Sequence, residues 1–113
     1  MNVSFLCFDF RGHGKSSGNF TDFGIGDWFS DLKNLLKYLN VNQSIIVGSS
    51  MGGWVAMLYA LNYPKKVSKL IGIAPAPDFT KELIWKSLNT KEKQKIKSNK
   101  IVTKRVSNDF SYT

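Results

Sequence analysis

The chain has one cysteine, Cys7, and one histidine, His13. A single cysteine excludes an intrachain disulfide, and Cys7, set in an apolar run, reads as a buried thiol without chemistry of its own. No cluster of ligating residues has metal-site spacing, so neither a metal nor a cofactor is expected. No apolar stretch approaches the length of a membrane span, and the N-terminus lacks a basic region followed by a long apolar core. The expectation is a soluble, cytoplasmic protein with no membrane partner.

Acidic residues are also scarce, eight Asp and Glu against sixteen Lys and Arg, for a net charge of +8. The excess is local. Residues 81 to 113 carry nine basic side chains against three acidic ones, while residues 1 to 80 carry seven against five. Lys91, Lys93, Lys95, Lys97 and Lys100 would suit a basic nucleic-acid-binding module or an anionic surface. The tail lacks interleaved aromatics and any nucleic-acid motif, and lysine outnumbers arginine fourteen to two. A solvated segment in a lysine-biased chain is therefore the favoured reading, with no nucleic-acid partner. The three prolines, Pro64, Pro75 and Pro77, each stand where an apolar pattern stops.

What the chain does have is Ile45-Ile46-Val47-Gly48-Ser49-Ser50-Met51-Gly52-Gly53-Trp54. A β-branched run meets G-x-S-x-G there and passes directly into the apolar helical pattern Trp54 to Leu61. This context, a strand over Ser44 to Gly48 and a helix ending at Pro64, is that of a nucleophile elbow. Ser50 is the candidate nucleophile. Gly48 and Gly52 stand where the turn is expected to pack backbone too tightly for a Cβ, and the Met51 N–H opens a helix whose dipole favours an oxyanion. Neither G-x-x-x-x-G-K-[ST] nor G-x-G-x-x-G fits Gly48 to Trp54, which argues against a phosphate-binding loop.

Upstream, Val3 to Phe8 reads as a strand running into Asp9-Phe10-Arg11-Gly12-His13-Gly14-Lys15-Ser16. Gly12 and Gly14 permit a tight loop, and Asp9 and Arg11 are placed to fix it by hydrogen bonds. These residues form scaffold. With D-x-R-G-x-G-x-S first and the elbow second, separated by one helix, the chain resembles the α/β-hydrolase family. Gly48 to Trp54 and Ile73 to Thr80 resemble a bacterial and mitochondrial branch acting on acyl esters and palmitoyl-protein thioesters. The resemblance implies that the first motif follows the family's fourth strand and the elbow its fifth. It also implies that a third strand, absent here, lies between those two. About half of the fold would then be present, and the chain is expected to be a fragment whose first strand lacks its neighbour. Either the strands close up or backbone groups stay unpaired.

Between the motifs, Trp28, Leu32, Leu35 and Leu39 recur at helical spacing, with Asn19 to Gly26 as a loop and Asp22 or Asp27 as its capping residue. A last strand over Lys69 to Ala74 completes a parallel βαβαβ pattern, the α/β class. Residues 1–78 are read as a partial hydrolase core. The resemblance implies that residues 79–113 start a lysine-rich, lid-like helical segment, with Phe79, Leu83, Ile84, Trp85 and Leu88 as its apolar underside; an ordinary amphipathic helix packed on the sheet is the alternative.

His13 is not read as the base, because the resemblance places the base after the last strand, downstream of the nucleophile. Asp78, after the last strand here, is the candidate acid of low standing; a helix cap toward Lys81 or Glu82 is preferred. The functional expectation is a serine hydrolase of carboxylic esters or thioesters, inactive alone for want of acid and histidine, and completed by a complementary fragment if at all. Serine at position 50 argues against a dehalogenase, which uses a carboxylate. The alternative is a non-enzymatic remnant of a split or decaying reading frame.

Overall fold

The computed structural model describes residues 3–78, 84–98, 104–105 and 111–112. The chain divides into two units, Met1–Pro77 and Asp78–Thr113. In the first, a loop carrying a 3-10 turn at Phe20–Asp22 leads into helix α1, Ile25–Tyr38. Asn19 caps the short turn, its side chain accepting from the Thr21 N–H. Gly24 is the N-cap of α1. The carboxylate of Asp27 accepts the Gly24 N–H at 2.9 Å, so Asp27 acts from inside the first turn, where a negative charge also meets the helix dipole.

Strand β1, Ser44–Ser49, passes through Ser50 into α2, Met51–Asn62, and a 3-10 turn at Pro64–Lys66 leads to β2, Val67–Ile73. The two strands are parallel, with Ile46 opposite Leu70, Val47 opposite Ile71 and Gly48 opposite Gly72. This is the α/β architecture that the alternation of elements predicts. The core lies in the seam between helices, where Trp28, Leu32 and Leu36 of α1 meet Val55 and Tyr59 of α2; Val55 is 0% exposed. Ile46 packs against this cluster from β1. The stripe on α1 thus runs 28, 32, 36. Leu35 is only half-buried, and Leu39 is exposed because α1 has ended and Leu39 is its C-cap.

Two expectations are corrected. Val3 to Phe8 forms no strand; Phe5 is 99% exposed, and among the described residues β1 pairs only with β2. A β conformation is held by its ladder, and no strand of the described residues stands beside this segment. Cys7, in the same segment, is consequently exposed rather than buried.

In the second unit, helix α3, Thr90–Lys97, opens on a reciprocal cap. The Asn89 side chain accepts the Glu92 N–H at 2.9 Å, and Glu92 accepts the Asn89 N–H at 2.8 Å. Strands β3, Lys104–Arg105, and β4, Ser111–Tyr112, pair antiparallel. Phe79, Leu83 and Lys100, like the proposed cap partners Lys81 and Glu82, lie outside the described residues.

Candidate active site

Ser50 is the single residue between β1 and α2, and its backbone sits at φ 51°, ψ −120°. Few non-glycine residues adopt positive φ, and holding one there requires fixed surroundings. Those surroundings come from β2 and the turn after it. The Ser50 N–H donates to the Ile73 carbonyl at 3.0 Å, while the Ser50 carbonyl accepts from Ala76 and Trp54, both at 3.2 Å. The elbow is therefore braced on both sides of the serine by one turn. The Ser50 residue itself is exposed, at the N-terminal end of an apolar helix whose first N–H groups point outward.

The glycines divide differently from the motif's spacing. A Cβ at Gly48 would lie 2.5 Å from the Gly52 carbonyl oxygen and 2.8 Å from the Gly53 Cα, so this position admits only glycine. At Gly52 a Cβ would meet nothing within 4 Å, which corrects the expectation of crowding there. The crowded helix glycine is Gly53, whose Cβ would lie 2.7 Å from the Pro75 Cβ. Pro75, read from the sequence only as a strand stop, is a wall of the elbow.

The upstream loop is held by its own contacts. Gly12 and Gly14 have φ of 75° and 49°. The Asp9 carboxylate accepts the Lys15 N–H at 3.0 Å and occupies the space that a Cβ on Gly14 would need. The partner of Arg11 is Asp31 on α1. Arg11 donates to it from its backbone N–H at 2.9 Å and from Nε at 2.8 Å, and its Nη2 lies 2.7 Å away. That hydrogen bond to Asp31 raises the Arg11 pKa above its ordinary value. The motif around Arg11 does not itself name Asp31. Its spacing of four from Asp27, which also lies 3.8 Å from Arg11, was the signal available.

His13 belongs to this loop. Its Nδ1 lies 3.2 Å from the Arg11 carbonyl, and its ring stands edge-on to Trp28 and Phe20 at 4.9 and 5.3 Å. The Arg11 carbonyl also accepts the Trp28 indole N–H at 3.0 Å. Asp78 falls in the second unit, exposed and at φ 53°. An open depression of about 510 Å³ is lined by Phe8, Arg11, Asp31 and Tyr38 among others, and Ser50 is not part of its lining. No metal-binding cluster is found among the described residues.

A strand, a glycine that cannot carry a side chain, a serine at positive φ and an apolar helix together have the geometry of a tight strand-to-helix turn of the α/β-hydrolase kind. A sequence profile of the alpha/beta hydrolase fold matches residues 4–105, and the chain belongs to that family. The mitochondrial palmitoyl-protein thioesterase ABHD10 of Rattus norvegicus is 41% identical over 75 residues, which is 66% of this chain and 25% of the rat protein. The Homo sapiens protein of the same name is 41% identical over 71 residues, covering 63% and 23%. The crystal structure of an Agrobacterium vitis S4 protein assigned as a hydrolase superposes with a TM-score of 0.79 at 35% identity, covering 93% of this chain and 44% of that one. Mouse alpha/beta hydrolase domain-containing protein 10 superposes with a TM-score of 0.67 at 34% identity, covering 80% and 36%. The match thus spans about a quarter of the length of the curated relatives. The expected cytoplasmic location is overturned, because the rat and human relatives are named as mitochondrial.

Proposed function

We propose that this chain carries the nucleophile half of a serine hydrolase site for acyl thioesters or esters. Ser50 Oγ attacks the acyl carbon, the thiol or alcohol departs with a proton, and water then releases the acid and frees the serine. The Met51 N–H supplies one oxyanion donor, favoured by the α2 dipole. The observation that carries this reading is the positive φ of Ser50 between β1 and α2, braced by Ile73 and Ala76. The names of the rat and human relatives support a palmitoyl thioester as the substrate class. His13, the one histidine of these 113 residues, is engaged in the upstream loop and is not assigned as the base.

The test is a chimera in which this chain replaces the matching stretch of the Agrobacterium vitis protein. It should hydrolyse a palmitoyl thioester and react with a fluorophosphonate at position 50, and Ser50→Ala should lose both, by roughly a millionfold in turnover. Ser16 and Ser49 should stay unlabelled. The lone chain should hydrolyse no faster than its own Ser50→Ala variant. Equal labelling of the chimera and its Ser50→Ala form would remove Ser50 from the nucleophile role.

A further inference from the structure

Three glycines stand inside regular elements without the backbone conformation that asks for glycine. Gly48 of β1, Gly53 of α2 and Gly72 of β2 all lie outside the positive-φ region, so each marks a shortage of space. Gly48 faces Gly72 across the ladder, and a Cβ on Gly53 would come within 3.1 Å of the Gly48 carbonyl oxygen. The three elements meet there. Beside two of these glycines the space is filled by Pro75: a Cβ on Gly53 would lie 2.7 Å from the Pro75 Cβ, and one on Gly72 would lie 3.1 Å from its Cγ. Pro75 is otherwise exposed, so it is no core side chain, and ending β2 would not require that seat.

The turn that Pro75 occupies is the one that holds Ser50. Ile73, two residues before it, accepts the Ser50 N–H at 3.0 Å, and Ala76, one residue after it, donates to the Ser50 carbonyl at 3.2 Å. Ala74, between Ile73 and Pro75, is itself at φ 43°. Two non-glycine residues at positive φ thus belong to one hydrogen-bonded unit, and such conformations persist only where the surroundings over-determine them. Proline suits that task, because its ring fixes its own φ and brings no N–H to compete.

We infer that Pro75 is a positioning residue for Ser50: its ring, seated on Gly53 and Gly72, fixes the turn over residues 73–76, and the two hydrogen bonds of that turn hold Ser50 at positive φ. Without the ring, Ser50 is free to relax toward the ordinary negative φ, which swings Oγ away from the position of attack. The inference rests on the reading under Proposed function for what Ser50 does, and on the geometry alone for how it is held.

In the 113-residue chain, Pro75→Ala should speed amide exchange at Ser50 and Ala76 by at least about tenfold while Val55 and Tyr59 of α2 keep their protection. Gly53→Ala, which presses on the ring from the other side of the contact, should speed the same two amides, and combining it with Pro75→Ala should add nothing further. In the chimera, Pro75→Ala should lower kcat for a palmitoyl thioester by at least about tenfold and leave KM unchanged, because the ring acts on the geometry of attack and not on the acyl chain. Unaltered exchange at Ser50, protection lost throughout α2, additive effects of the two substitutions, or a raised KM at constant kcat would each overturn the inference. Exchange is read without catalysis. A chimera labelled equally with and without Ser50 would therefore sink the nucleophile reading and leave the holding of Ser50 to be decided by exchange.

Discussion

Tyr59 is 3% exposed in the seam between α1 and α2, with the Tyr63 ring 5.0 Å away. Burial raises its phenol pKa above the ordinary 10.0, and the neighbouring Tyr63 adds to the rise. The folded state therefore favours the protonated phenol. The stabilisation is fully present below pH 10.0 and is lost as the pH climbs through the folded value. Urea midpoints measured on either side of pH 10.0 should fall more steeply for the wild type than for Tyr59→Phe, since lysine titration is common to both. Parallel slopes would show that this phenol is not held protonated by folding. Arg11 shows what sequence conveys at this scale and what it does not. That it anchors the loop was legible from D-x-R-G-x-G-x-S. That its carboxylate is Asp31, twenty residues on, depends on how α1 turns against the loop.

At the scale of elements, the crossing from β1 to α2 turns on which glycine meets backbone. Gly48→Ala drives a methyl into the Gly52 carbonyl and should cost about 1–3 kcal/mol or more in denaturant titration. Gly52→Ala finds open space on a helix and should change stability by less than about 1 kcal/mol. Equal losses would mean that the crowding lies on both sides of Ser50. The order of β1, α2 and β2, and the Trp28 and Leu32 half of the α1 stripe, were readable because periodicity is local. The role of Gly53 was not, because Pro75 reaches it only after β2 has folded back alongside β1. Val3 to Phe8 marks the same boundary. Its composition is that of a strand, but a strand exists only with a partner.

For the molecule as a whole, burial is concentrated between the two helices of the first unit, and the sheet is comparatively bare. Protection should follow that distribution. In native-state hydrogen exchange the slowest amides of this unit should be those of α2 around Val55 and Tyr59, with β1 faster and Val3 to Phe8 fastest. Slowest exchange in β1 would place the stable centre in the sheet instead. The helix seam also has a consequence in time. Its five residues span positions 28 to 59, so all of them have been synthesised before Val67 begins β2. A chain made from its N-terminus can close this layer during synthesis and then receive β2 onto an existing β1. The brace on Ser50 depends on Ile73 and Ala76, and so requires β2 and the turn after it to be in place.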